Sequence, residues 1–531
     1  MPAIITDQYR ILNAETFVDS FVGIGTSGNN NYYAFLGHPN PTNINIKNYG
    51  APNWGAELPA PVDSFSQESF YYDSMLFLKK ITSNDVRRVI PRINWQVGTV
   101  YEMYRNNYSA DNSYTDENRT PNTNSTSLYG SNYYVVTSEF KVYLCISNGT
   151  SPDNTKGVGS EIEPTHTNTT PQAAGNGSDG YLWKYLYSIT PSDIVKFVTT
   201  KFIPLPQKWG DTSNLAIKDA AVDGKIETVV LKSKGTAIDI DGFPNGSISG
   251  IPIDGDGTGG SVTIKISNKS IERVESVVGG SGYTYAEVRF ESGTYGNGKT
   301  LEAGSGASFE VVIPPKGGHG ADIYRELGGF RVMTYAKFDN NINDAPDYIV
   351  GNNFSRVGIV RNPLQLSGTD LLNSTTATNL SALKLKPADG SSKEISDITY
   401  APNSLITQTV GVGSTAVGYV ASWDPTTGVL RYYQPVGFST LSQYSYQKLD
   451  FVGENIVITG GSPENATVDN NFNGGTATVG GANQSLGQTF VNGKANPDVK
   501  KYSGDIIYVD NRAPVTRTTS QKEEVKIVIE F

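Results

Sequence analysis

Residues 502–531 read YSGDIIYVDNRAPVTRTTSQKEEVKIVIEF, and this stretch sets the class of the chain. Asp505–Val509 is short and apolar. Val525–Phe531 runs Val, Lys, Ile, Val, Ile, Glu, Phe. Both have the β-branched content that packs well on a pleated, half-buried surface, so both read as strands. Between them, Asp510-Asn511-Arg512-Ala513-Pro514 carries turn chemistry and is expected to be a turn or loop. The final strand is expected to be paired inside a sheet.

The same signature extends outward. Glycine (56) and tyrosine (31) are plentiful, and short runs of Val, Ile, Tyr and Thr are broken by Gly, Asn and Pro. The expectation is a mainly β protein. At 531 residues the chain exceeds what one core supports, which is about 250–300 residues, so two to four domains are expected. The net charge of -10 disfavours non-specific binding to nucleic acid or to an anionic membrane surface. No apolar run is long enough to span a bilayer, so no membrane insertion is expected. The opening residues, MPAIITDQYRILNAETF, lack the basic and apolar regions of a signal peptide.

Catalytic chemistry finds little purchase. The lone cysteine, Cys145, lies in the strand pattern Lys141–Ile146 and reads as a buried, inert thiol. His38, His166 and His319 are far apart, with no His or Cys neighbour at metal-ligand spacing. His319 reads as a capping or packing residue. Gly23-Ile-Gly-Thr-Ser-Gly28 matches G-x-G-x-x-G, but a helix precedes it and a strand follows, the reverse of a dinucleotide site. Asp254-Gly-Asp256-Gly-Thr-Gly-Gly260 begins like a calcium loop, yet the twelfth position is Lys265, not Glu, so a tight turn is expected. Glu523-Glu524 would point to opposite faces of an extended strand. The pairs Tyr32-Tyr33, Tyr71-Tyr72, Tyr133-Tyr134 and Tyr432-Tyr433 suit sugar binding or strand and interface packing, and the second reading is preferred. No catalytic, cofactor-binding or metal residue is assigned, no cofactor is expected, and the chain is read as not an enzyme.

Local patterns place further elements. Ile4–Phe21 reads as a strand and a helix, with Asn13 as N-cap and Phe17 and Phe21 on one face. Ser66–Ile81 reads as the best helix. Thr190-Pro191-Ser192-Asp193 is a helix start: cap, proline at the first position, acid in the first turn. Asp424–Gly428 reads as a hairpin turn. From Ile226 the chain carries a degenerate repeat. One copy runs from Ile226 to Ile266, the other from Ile271 to Ile313, and each closes on a Gly-rich turn and a strand. Such a tandem unit reads as a packing module.

Four blocks, in order, resemble one family. They are Val89-Ile-Pro-Arg-Ile-Asn-Trp95, Gly180-Tyr-Leu-Trp-Lys-Tyr-Leu-Tyr-Ser-Ile189, Phe354-Ser-Arg-Val-Gly-Ile-Val-Arg-Asn-Pro-Leu364, and the C-terminal Ser503–Val515 with Glu523–Phe531. The family is the baseplate wedge protein, gene product eight, of T-even-like contractile-tailed bacteriophages. The resemblance implies a layered antiparallel β-sandwich core with a few short helices in loops. It implies a structural virion protein of the tail baseplate, assembled in the host cytoplasm, that pairs with itself as a homodimer and docks on other baseplate wedge subunits. It implies no catalysis. The core is expected over 1–215, completed by 350–365 and 498–531. Residues 216–349 form an inserted tandem β-repeat module, and 366–497 a second inserted β-rich module. The alternative is a receptor- or glycan-binding tail component whose inserts are lectin-like.

Overall fold

The computed structural model describes residues 5–22, 30–38, 60–108, 125, 127–296, 298–339, 353–434, 449–452, 457–516 and 521–531. The glycine-rich Gly23–Gly28 lies outside them. The fold is mainly β, with antiparallel sheets and few helices, as the composition predicts. Among the described residues no helix is long and apolar enough to cross a membrane.

The chain opens with α1 (Asp7–Val22), β1 (Tyr32–Gly37), α2 (Phe65–Ser74), β2 (Met75–Ile81) and β3 (Val86–Pro91). Asn13 does not cap α1. The helix starts six residues earlier, where Thr6 accepts the Tyr9 amide at its carbonyl (3.0 Å) and its hydroxyl (3.3 Å). Phe17 and Phe21 do share a face, with ring centroids 5.2 Å apart, and Phe21 stacks on Tyr32 at 4.0 Å. The expected helix 66–81 is split. Its second half, Met-Leu-Phe-Leu-Lys-Lys-Ile, is a strand paired to β1 on one side. A continuous apolar run fits an interior strand, and long-range pairing here overrides helix propensity.

Next come β4 (Tyr134–Val136), β5 (Lys141–Asn148), β6 (Tyr181–Ser188), α3 (Pro191–Phe197), β7 (Phe202–Pro204) and α4 (Leu215–Asp219). Tyr133–Ser147 is a hairpin that turns at Phe140 (φ 56). Thr190 caps α3 as expected, its side chain accepting the Asp193 amide at 3.2 Å.

The repeat holds β8 (Val229–Thr236), β9 (Asp239–Ile240), β10 (Gly246–Gly255), β11 (Thr258–Ser267), β12 (Ser270–Ser281), β13 (Ala286–Val288), β14 (Gly293–Tyr295), β15 (Lys299–Glu302) and β16 (Ser305–Val311). Then follow α5 (Ile323–Glu326), β17 (Arg331–Phe338), β18 (Asn353–Arg361), β19 (Thr376–Thr378), β20 (Ser381–Pro387), β21 (Thr399–Tyr400), β22 (Leu405–Gly411), β23 (Ser414–Asp424) and β24 (Val429–Tyr433). The chain closes with β25 (Val457–Ile458), β26 (Gly461–Ser462), β27 (Ala466–Val468), β28 (Gly474–Val479), β29 (Ala482–Phe490), β30 (Lys494–Ala495), β31 (Asp505–Thr516) and β32 (Glu523–Glu530). The final strand is paired, beside β17. The turn expected at Asp510–Pro514 is instead the continuation of β31, which pairs with β18 through register shifts. β31 is the last strand of its sheet, and an edge strand tolerates proline, which cannot donate to a ladder.

The chain forms two compact units. Unit 1 comprises 1–16, 87–333 and 528–531. Its aromatic core gathers Tyr101, Tyr133, Tyr143, Trp183 and Tyr187 around the sheet β4-β5-β6, and β3 pairs β7. The repeat in this unit has a core of its own, including Ile226, Ile251, Ile264, Ile271 and Leu301.

The two repeat copies interlock reciprocally. β11, which closes the first copy, pairs with β12, which opens the second. β16, which closes the second, pairs with β8, which opens the first. Likewise β10 pairs β13, and β15 pairs β9. The glycines obey the same exchange. Gly235 (φ 64) approaches the Ala307 amide, where a Cβ would lie 2.9 Å away, and its counterpart Gly280 (φ 59) approaches the Gly260 amide, at 2.7 Å. Ala307 and Gly260 hold the same place in the two closing motifs.

Unit 2 comprises 17–86 and 334–527. One five-stranded antiparallel sheet has the order β19-β2-β1-β18-β31, with Tyr33, Phe35, Leu78 and Val360 fully buried against it. A second sheet runs β22-β23-β24-β20-β27-β25 over Leu383, Ile406, Val420, Leu430 and Phe451. Asp424–Gly428 is the expected hairpin turn, Asp424 accepting from the Thr426 amide (3.0 Å) and the Thr427 hydroxyl (2.6 Å).

Candidate functional site

The residues that most resemble chemistry in the sequence are structural. His319 is buried, with Nδ1 2.5 Å from Glu326 Oε1 and its ring edge-on to Tyr104 at 4.6 Å. Glu326 Oε2 accepts the Gly320 amide at 2.8 Å, so the pair closes the loop that enters α5. His38 is buried against Tyr433. His166 takes the Asn168 amide at Nδ1, and burial holds its pKa below the usual imidazole value. Burial also pushes the Cys145 thiol well up, leaving it the protonated, inert group expected.

Asp256 sits at the β10–β11 turn. It accepts from Thr284 Oγ1 (2.5 Å), the Thr284 amide (2.8 Å) and the Tyr285 amide (3.2 Å), and its pKa is lowered to about 2, chiefly by the Thr284 hydroxyl. Lys265 pairs with Glu272 at 3.5 Å. The tight-turn reading therefore describes this segment. Among the described residues, no group of three or more His, Cys, Asp or Glu is placed to hold a metal ion. Glu523 is buried while Glu524 accepts from Tyr335 Oη at 3.2 Å, so the two do diverge.

The tyrosine pairs are core residues. All eight rings are buried. Hydroxyls of five of them donate to backbone carbonyls: Tyr33 to Ser374 (2.8 Å), Tyr71 to Val62 (2.9 Å), Tyr72 to Gly504 (2.5 Å), Tyr133 to Glu326 (2.6 Å) and Tyr134 to Pro91 (2.7 Å). A buried phenol needs such a partner, and these rings offer no face to a sugar.

What the surface offers is contact area. Along the start of α1, Ile11 and Ala14 are buried, whereas Ile5, Tyr9 and Leu12 are exposed by 67%, 56% and 55%. Tyr9 and Leu12, three residues apart, lie on one side of the helix, and Ile5 stands just before its first turn. Arg10 fixes this helix end. It lies over the Phe330 ring at 3.7 Å, ion-pairs Glu530 at 2.6 Å and donates to the Phe531 carbonyl. Arg331 joins Glu530 at 2.9 Å. Burial alone raises the Glu530 pKa, but the two arginines bring it down on balance. The exposed stripe thus rides on a clamped element. The sequence showed the apolar residues of α1 but not which faced outward.

Two clefts open in unit 1. One, of about 480 Å³, lies beside the first turn of α1 and is lined by Asp7, Gln8, Tyr129 and Arg325. The other, of about 770 Å³, is lined by Thr150, Thr170, Lys225, Glu227 and Arg273. Glu227 pairs there with the buried Lys184 at 3.1 Å, and Arg273 with Glu272 and Glu275.

No curated protein matches the chain. A protein family does, and the match takes in the first two sequence blocks, Val89–Trp95 and Gly180–Ile189, while the third and fourth lie beyond it. That family is one of baseplate wedge structural proteins. Residues 3–230 match Phage-Gp8, described as Bacteriophage T4, Gp8, the family that the sequence blocks resemble.

Proposed function

We propose that the chain is a structural virion protein, a baseplate wedge subunit of a contractile-tailed phage. It links other wedge proteins during baseplate assembly and tail contraction, and it pairs with a second copy of itself. It resides in the tail baseplate, after assembly in the host cytoplasm. The family match over residues 3–230 carries this reading. The clamped, exposed apolar stripe of α1 supports it, because solvent-exposed apolar rows mark contact surfaces.

The core segments are 1–215, 350–365 and 498–531, and 216–349 and 366–497 are insertions. Separate hydrophobic clusters within 226–301 and within 382–495 support that division. Residues 216–333 of the first insertion fall in unit 1, and the second insertion falls in unit 2.

Cross-linking mass spectrometry on intact particles tests the function. Cross-links from residues 3–230 to other wedge proteins, and between copies of this chain, are expected. Links to fibre proteins alone would favour the receptor- or glycan-binding alternative, and absence of the chain from particles would overturn both readings.

A further inference from the structure

β28 and β29 form a sheet of two strands. Residues 470–493 hold no Asp, Glu, Lys or Arg, in a chain that is 18% charged. The strand tip is Gly480-Gly481, with φ of 57° and 85°. Two consecutive left-handed residues make the two-residue primed turn that matches strand twist. Such a turn makes the flanking Val479 and Ala482 a hydrogen-bonded pair, and alternation makes Ala477 and Gln484 another. The backbone groups of Thr476 and Thr478 therefore point away from β29. No described residue hydrogen-bonds this outer edge. Both threonines are exposed.

Open edges are ordinarily guarded by lysine, proline or inward charges, because they template pairing with another chain. Along Gly475–Val479 none of these is present. We infer that the outer edge of β28 is a docking edge for the same edge of a second copy of this chain. Two observations select that occupant. The first is self-complementarity. In antiparallel pairing about a two-fold axis at Ala477, Thr476 of each copy lies opposite Thr478 of the other. Each such pair exchanges both backbone hydrogen bonds, and cross-strand threonine pairs are favourable. The second is charge. Two copies, each of net charge -10, repel, and the charge-free ribbon is where close approach meets no like charge. This inference rests on the self-pairing part of the proposed function and gives it a contact.

The test uses the full chain. Cys145 is its single cysteine and is buried, so one introduced thiol reports cleanly. Ala477 faces its own copy in a non-hydrogen-bonded pair, where Cα atoms lie about 4.5 Å apart, within disulfide reach. Under mild oxidation, Ala477→Cys is expected to form a linked dimer about tenfold faster than Gln484→Cys, a control on the opposite edge. The double variant Thr476→Lys/Thr478→Lys sets like charges opposite each other. It is expected to weaken self-association in sedimentation by about tenfold or more, with an unchanged melting temperature. Self-association that survives the double lysine variant, with Ala477→Cys no faster than the control, would overturn the edge and leave self-pairing to another surface. A chain that stays monomeric and does not link would overturn both. In particles, Ala477→Cys linking only to a different protein would also overturn the inference.

Discussion

Residues 226–313 and residues 474–490 are both glycine-rich β segments, yet they solve the edge problem in opposite ways. In the repeat, each copy supplies the partner strand the other lacks, so β8 and β12 are paired across copies. The ribbon has no second copy within the chain, and β28 keeps an open edge. Duplication within a sequence closes a sheet internally; a single hairpin leaves closure to another molecule. The difference also governs how much each glycine matters. Gly280 is wedged against the Thr258 carbonyl, where a Cβ would stand 2.3 Å away, whereas Gly480 meets nothing within 4 Å.

That contrast can be broken by mutation, beginning with the repeat core. Ile264→Ala removes a side chain with no exposure and should lower the unfolding free energy by about 4 kcal/mol in denaturant titration of the full chain. A loss under about 1 kcal/mol would mean that the interlocked core is not the stabilising element. Gly280→Ala combines a positive φ with the clash at Thr258 and should cost about 2–3 kcal/mol by the same measurement. Gly480→Ala shares the positive φ without the clash, and about 1 kcal/mol is expected. Equal losses at the two glycines would erase the distinction between packed and open turns. Thr476→Lys/Thr478→Lys should change stability by no more than about 0.5 kcal/mol per site, since both side chains are exposed.

The smallest effect concerns acid. The folded-state pKa of Asp256 is lowered from its ordinary value of 3.8 to about 2. Its contribution to stability is thus present above the ordinary value and is lost as pH falls through about 2. Asp256→Asn should flatten that part of the acid-unfolding profile. An unaltered profile would show that the Thr284 and Tyr285 contacts do not favour the charged form.

Much of this could be read from the chain. The β class follows from β-branched runs broken by Gly, Asn and Pro. The α3 cap, the Asp424 turn and the repeat are local signals, because a cap or turn is satisfied by neighbours in sequence. The family blocks were legible for the same reason, as contiguous strings. Four features were not. Met75–Ile81 became a strand because β1, distant in sequence, pairs with it. Pro514 stayed within a strand because β31 lies at an edge. The hydroxyls of Tyr33, Tyr72 and Tyr133 found carbonyl acceptors far along the chain, at Ser374, Gly504 and Glu326. The outward stripe of α1 exists because Arg10 is held by Glu530 and Phe531 from the far end of the chain. Class, local turns and the family resemblance could be read from the amino-acid order alone. Tertiary structure alone decided which strands meet, which rings are buried and which edge stays open. Strand pairing and burial depend on contacts between residues hundreds of positions apart, and no local pattern encodes its own partner.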